Sequence, residues 1–295
     1  MAHILLIDDD DVRTMLRLTL VHFGHTVIEV RNGREGLALF PHAAADLVIT
    51  DIVMPDMGGL AATEYLMTHY PTPILIVSSS VSRDGAMLTL DALAAGAVDT
   101  LAKPSAGDLD ERWEQQFRAA VRVASRVKVI TRTPARSGLQ AAAVPVSVRT
   151  DRLPRPGTAE LIAIGASTGG PQALMEILPA LPREFSIPIL LVVHLDLRFD
   201  ESFREWLQGI AGLPVRHAVD GELLPAPGTR GLLLAPADQH LIVERGLLRL
   251  TRTAERHSCR PSVDVLFESL ARERSGRCTG VLLTGMGDRK STRLN

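Results

Sequence analysis

Leu47-Val48-Ile49-Thr50-Asp51-Ile52-Val53-Met54-Pro55 is a run of four apolar or β-branched residues that ends on an acid and soon breaks at a proline. Four such residues without polar alternation read as a strand buried on both faces, the kind found in parallel sheets. The same signature recurs to either side: Ile4–Ile7 before Asp8-Asp9, Val27–Val30, Ile74–Val77 before Ser78, and Val98–Leu101 before Lys103-Pro104. The stretches between carry apolar residues at helical spacing. Val12, Met15, Leu16, Leu20 and Phe23 form one stripe, and Leu60, Leu66, Met67 and Tyr70 another. Trp113 to Val129 reads as a closing helix. Five strand–helix units over residues 1–125 predict an α/β fold, a (βα)5 domain whose parallel sheet is covered on both faces.

In such sheets the chemistry gathers at the carboxyl ends of the strands. That rule brings Asp8, Asp9, Asp51, Ser78 and Lys103 to one edge. Three carboxylates repel one another unless a divalent cation neutralises them, and an all-oxygen donor set suits Mg²⁺. Asp51 can then attack a phosphoryl donor, while the metal, Lys103 and the Ser78 hydroxyl stabilise charge on the transferring oxygens. An isolated strand-end Asp is more often a helix cap. The specific feature is the combination, with Met54-Pro55 just after Asp51 and Lys103-Pro104 after the fifth strand. Residues 1–125 resemble the response-regulator receiver family. The resemblance implies that Asp51 is the phosphoacceptor, that Asp8, Asp9, Asp51 and the Val53 backbone carbonyl hold the metal, and that Ser78 and Lys103 support transfer. It also exposes a departure. Receivers usually carry Tyr or Phe three residues before the lysine, where its rotation reports phosphorylation, and this chain has Thr100.

The 295 residues are too many for one ordinary domain and comfortable for two. Hydrophobic residues make up 46% and aromatics only 4%, so the cores are expected to be filled by Leu, Val, Ile and Ala. A net charge of −2 gives no global pull toward nucleic acid or an acidic membrane. Cys259 and Cys278 are the only cysteines, so no disulfide framework is implied and a reducing cytoplasm fits. The N-terminus enters the first strand with no basic leader, and no apolar run approaches bilayer-spanning length, so no membrane insertion is expected.

Residues 126–158 change character. Pro134, Gly138, Pro145, Pro154, Pro156 and Gly157 interrupt any period, and Arg132, Arg136, Arg149, Arg152 and Arg155 dominate the charge. The segment reads as a linker, either a solvated spacer or a dock for a partner. Strand signals resume at Leu161–Ile164, Ile187–Val193, Leu232–Ala235, Leu241–Val243 and Val281–Thr284, predicting a second, Rossmann-like α/β domain over 159–287.

Its first strand runs into Gly165-Ala166-Ser167-Thr168-Gly169, a G-x-S-x-G turn. Such a turn can expose a nucleophilic serine beside helix N-terminal amides, and Gly-rich turns of this kind also cradle phosphates. His194 ends the apolar strand Ile187–Val193 and should reach the same sheet edge, as a general base for Ser167 or as a surface residue. His217, His240 and His257 lack a comparable placement.

Taken in order, Gly165–Pro171, His194, Asp220-Gly-Glu222, Ala235–Leu241, Arg260–Phe267 and Leu283–Gly287 look like the chemotaxis protein-glutamate methylesterases, which also carry a receiver in front. The resemblance implies hydrolysis of glutamate γ-methyl esters on chemoreceptor cytoplasmic helices, often with glutamine deamidation, and a chemotaxis histidine kinase as phosphodonor. Ser167 would be the nucleophile and His194 the base, with Thr168 and the Met286 backbone N–H supporting the oxyanion. No cofactor is implied for ester hydrolysis. The family continues Gly-Met-Gly-x-Asp-Gly, the Asp completing a triad. Here Arg289 occupies that position and Asp288 the variable slot, and residues 288–295 lack any apolar pattern. The expectation is therefore an incomplete methylesterase domain followed by a non-native tail, and a poor esterase. Two other readings remain: a catalytically inactive phospho-receiver module, and a response regulator with a non-catalytic output, although no basic helix-turn-helix is visible.

Overall fold

The computed structural model describes residues 1–79, 82–104, 111–127, 129, 159–167, 169–195, 197–257 and 259–283. The N-terminal domain contains β1 (His3–Ile7), α1 (Val12–His22), β2 (Thr26–Val30), α2 (Gly33–Ala43), β3 (Leu47–Thr50), α3 (Gly59–His69), β4 (Ile74–Ser78), α4 (Arg83–Ala94), β5 (Asp99–Ala102) and α5 (Glu111–Ala124). Its strands pair in parallel in the order β2-β1-β3-β4-β5. The period-two alternation of the pleat divides each apolar run between two cores. Leu5, Ile7, Val48, Ile74 and Ile76 enter one, while Ile4, Leu6, Ile49, Leu75 and Val77 enter the other with Leu16 and Leu20 of α1 and Trp113, Phe117 and Val121 of α5.

The C-terminal domain contains β6 (Leu161–Ala166), α6 (Gly170–Ile177), β7 (Ile189–Val193), a 3-10 turn (Leu197–Phe199), α7 (Asp200–Ile210), β8 (Val215–His217) and β9 (Leu232–Leu234). After these come β10 (His240–Glu244), β11 (Leu247–Thr251), α8 (Val263–Glu273) and β12 (Cys278–Leu282). A parallel sheet runs β12-β6-β7-β9-β8, and β10 and β11 form a separate antiparallel hairpin. Both domains are thus α/β with parallel sheets.

Several sequence expectations are corrected here. The strand expected at Leu241–Val243 is present as β10 and lies in the hairpin. The hairpin turns through Arg245 and Gly246, at φ 52° and 77°, the backbone that a two-residue connection demands. Its return strand β11 and the three-residue β8 were not anticipated, because strands this short carry too few residues to establish a period. The last strand is Cys278–Leu282 rather than Val281–Thr284, β5 starts at Asp99 rather than Val98, and α5 spans Glu111–Ala124 rather than Trp113–Val129. Nearly all of the segment 126–158, Thr284 and everything after it lie outside the described residues. Among the described residues, no helix is long and apolar enough to cross a membrane.

The domains meet through α4, which packs against α6 and α7. Leu90 and Leu93 share a single buried cluster with Leu174, Phe203 and Trp206. Polar contacts frame it: Arg83 Nε donates to Glu205 Oε2 at 2.7 Å and Trp206 Nε1 to Asp91 Oδ1 at 3.2 Å. The Gly169 N–H donates to the Val98 carbonyl at 3.2 Å.

Candidate functional sites

At the carboxyl edge of the first sheet, Lys103 follows β5 and is only 3% exposed. Its Nζ lies 2.6 Å from Asp51 Oδ2, 2.8 Å from Asp8 Oδ2 and 2.8 Å from Asp10 Oδ2. Burial alone would lower the amine, but hydrogen bonds to Asp10, Asp51 and Asp8 outweigh it and hold Lys103 above its usual range. Burial also acts on Asp8, pushing its carboxyl up to about 7 against the pull of Lys103.

Asp8, Asp9 and Asp51 each offer a carboxylate oxygen, all within 4.8 Å of one another. Asp8 Oδ2 is buried beside the Lys103 ammonium and has no other polar partner among the described residues. A buried oxygen of this kind, beside an exposed Asp9 that opens the site to solvent, fits a hard divalent cation. Asp51 is held in place from behind, where its Oδ1 accepts the Ile52 N–H at 2.6 Å. Ser78 ends β4 at 1% exposure, and Val53 lies in the loop after β3. Asp8, Asp9, Asp51 and Lys103 are therefore brought together, with Ser78 at the end of the neighbouring strand. Asp10 was missed, although the run Asp8–Asp11 was a visible signal. Only the fold shows which of the four acids turn toward Lys103.

The second site sits at the carboxyl ends of β6 and β7. Ser167 directly follows β6, and α6 begins three residues later behind Gly169, whose φ of 78° makes the sharp turn. Gly165 is required for a different reason. A Cβ there would lie 2.2 Å from Val263 Cγ1, so only glycine lets α8 seat against β6. His194 directly follows β7, and its N–H donates to the Ala166 carbonyl at 3.3 Å, tying the two strand ends together. The Ser167 Oγ to His194 Nδ1 distance is 3.3 Å.

The imidazole is partly buried. Burial lowers the His194 pKa, and the charge of Asp264 only partly opposes this. Its Nε2 is buried with no hydrogen-bond partner among the described residues. A base must be neutral to accept a proton. The acid limb of kcat/KM for any reaction based on His194 should therefore fall below the ordinary histidine value of 6.5. A pH–rate profile checks this, and a limb above that value would show that a carboxylate reaches the ring.

One further residue approaches the imidazole. Cys259 Sγ lies 3.5 Å from His194 Nδ1. Burial, with Glu255 and Asp264 nearby, holds this thiol above its usual range, so it stays protonated. The segment carrying it is anchored by polar contacts. Arg260 donates to Asp238 Oδ1 through Nε at 2.9 Å and Nη2 at 2.6 Å, and to the Thr253 carbonyl through Nη1 at 2.9 Å. His240, fully buried, accepts the Ser262 N–H on Nδ1 at 3.1 Å. Nε2 must then carry the ring proton and donate to the Ala254 carbonyl, 3.2 Å away. His240 thus has a scaffolding place, and the sequence had no feature that pointed to Cys259. Thr168, Met286, Asp288 and Arg289 lie outside the described residues.

Comparison with known proteins bears on both sites. The family model of the response regulator receiver domain matches residues 4–113, and that of the CheB methylesterase matches residues 162–289. A protein-glutamate methylesterase/protein-glutamine glutaminase of Nitrosospira multiformis is 36% identical over 293 residues, covering 97% of this chain and 81% of that protein. A relative of the same description from Myxococcus xanthus is 38% identical over 263 residues, covering 88% of this chain and 72% of the relative. Another, from Burkholderia lata, is 38% identical over 280 residues, with 94% and 78% covered. Acidic and serine–histidine clusters at two sheet edges, matched in order by two family models and by relatives along most of their length, lead to one assignment: this chain belongs to the protein-glutamate methylesterase/protein-glutamine glutaminase family, a receiver domain joined to a CheB methylesterase domain.

Proposed function

We propose that this chain hydrolyses glutamate γ-methyl esters, and deamidates glutamines, on the cytoplasmic helices of chemoreceptors, and that phosphorylation of Asp51 by a chemotaxis histidine kinase controls the rate. The approach of Ser167 Oγ to His194 Nδ1 carries the reading. Ser167 Oγ attacks the ester carbonyl while His194 Nδ1 takes its proton. The tetrahedral oxyanion forms beside the N-terminus of α6, and Thr168 and the Met286 backbone N–H are its support in this scheme. His194 returns the proton to the departing methoxide, releasing methanol. Water, deprotonated by the same imidazole, then cleaves the acyl-serine and leaves a glutamate carboxylate. With glutamine as substrate the leaving group is ammonia. No cofactor takes part in the ester chemistry.

In the receiver, Asp8, Asp9, Asp51 and the Val53 carbonyl would hold Mg²⁺, which when bound offsets the charge of the transferring phosphoryl group. Asp51 supplies the attacking carboxylate oxygen, with Lys103 and Ser78 beside it. The docking of α4 against α6 and α7 supports the regulatory half of the proposal. The Gly169 N–H, in the turn that carries Ser167, is bonded to Val98 of the receiver. An unphosphorylated receiver so placed restricts the approach of a receptor helix.

A second reading, a phospho-receiver module with an idle esterase domain, is favoured by two features. Arg289 stands where the family has its acid, and His194 Nε2 finds no partner among the described residues. Release of methanol from receptor helices carrying glutamate γ-methyl esters separates the two. The chain should turn over slowly, and Ser167→Ala and His194→Ala should each reduce turnover about 100-fold, with the double variant no worse than either alone. Losses that add in free energy would count against a shared serine–histidine mechanism, and unchanged turnover in Ser167→Ala would remove the nucleophile assignment.

A further inference from the structure

The 3-10 turn Leu197–Phe199 begins three residues after His194, yet its side chains reach into the receiver. Phe199 is fully buried, and its buried neighbours are Ala86 of α4 and Ala102 of β5, with Leu195 packed at the edge. Arg198 Nη1 donates to the Lys103 carbonyl at 3.2 Å. Lys103 in turn holds Asp51 at 2.6 Å through Nζ. Two residues before Ala102, Thr100 supplies no ring, and its Oγ1 is buried without a hydrogen-bond partner among the described residues. The receiver's own Trp113 donates its Nε1–H to the Ala102 carbonyl at 2.8 Å, and the ring packed between Ala86 and Ala102 comes from the other domain.

From this geometry we infer that Arg198 and Phe199 form the element that reports the state of Asp51 to His194, with the Ala86–Ala102 socket as its seat. The inference rests on the proposed control by phosphorylation and names the residues that carry it. A phosphoryl group on Asp51 adds negative charge at the carboxylate that Lys103 now holds, and draws the ammonium toward it. Lys103 and Ala102 are consecutive, so a shift of this backbone changes the Arg198 acceptor and the wall of the Phe199 socket together. A packed socket tolerates small shifts poorly, and the ring has two arrangements, seated or released. Release frees the turn that follows His194 and loosens α7 from α4. The small size of Ala86 and Ala102 is what admits the ring.

The test is hydrogen–deuterium exchange on the full chain with and without Mg²⁺ and beryllofluoride, a phosphoryl analogue, following amides in residues 169–177 and 197–210. Beryllofluoride should raise exchange there in the unaltered protein. Ala86→Leu fills the socket without touching the ester site and should raise exchange about 10- to 100-fold without the analogue, the range set by the burial of one phenyl ring. Phe199→Ala should do the same, and neither variant should respond further to beryllofluoride. Retention of low exchange and of the full response by both variants would overturn the inference. So would a lack of response in an unaltered protein whose Asp51 accepts phosphate from acetyl phosphate. Exchange is read independently of turnover, so absence of esterase activity would defeat the proposed function while leaving this test decisive.

Discussion

Arg289→Asp should raise methyl-ester turnover by about 10⁴-fold. That figure is the size of the effect when the acidic partner of a catalytic histidine is removed or neutralised elsewhere. In the present chain Nε2 of the imidazole is buried and unpartnered among the described residues, and burial disfavours the charged form of the ring. In the proposed mechanism, proton transfer from Ser167 would create an imidazolium in that environment. A carboxylate beside Nε2 would fix the tautomer, stabilise the cation and raise the histidine pKa. The gain should therefore come with an upward shift of the acid limb of the pH–rate profile. Non-additivity supplies a second signature. Where the acid is already missing, removing the serine costs only about 10², whereas in Arg289→Asp it should cost about 10⁶. Turnover unchanged by Arg289→Asp but lost in Asp288→Asn would show that Asp288 is the partner.

Asp51→Asn should abolish phosphoryl uptake from acetyl phosphate or a cognate kinase, because an amide is not a competent nucleophile at neutral pH. The substitution leaves Lys103 paired with Asp8 and Asp10, each 2.8 Å away, so the buried ammonium keeps its counter-charge and the domain stays folded. It also removes one of three crowded carboxylates, so thermal stability should not fall with the loss of function. Labelling with radioactive acetyl phosphate, alongside thermal unfolding, checks both statements. Labelling of Asp51→Asn equal to that of the parent would transfer the role to Asp8, Asp9 or Asp10. Lost labelling with collapsed stability would mean that Asp51 holds the fold rather than accepts the phosphoryl group.

The parts of the fold visible in the sequence share a physical origin. Ile4–Ile7, Leu47–Thr50 and Ile74–Val77 are buried on both faces of a parallel sheet, so each appears as an uninterrupted apolar run whose next polar residue marks the functional edge. Asp8, Asp51, Ser78, Ser167 and His194 were all placed by that one rule. It fails where burial is one-sided or local. The hairpin strand Leu247–Thr251 alternates weakly over five residues, and Val215–His217 has only three. Neither length supports a period, so their pairing depends on partners distant in the chain.

What the sequence determined by itself was the pair of parallel α/β domains, their order, and the residue types delivered to each sheet edge, because strand burial and strand ends are properties of local sequence. The tertiary structure decided which neighbours those residues meet. It turned Asp10 toward Lys103, brought Cys259 to 3.5 Å from His194, and seated Phe199 between Ala86 and Ala102 of the other domain. Each of these contacts joins segments between 65 and 113 residues apart in the chain or depends on the direction of a single side chain in a loop. Local periodicity carries no record of such separations. They arise only when packing brings the segments together.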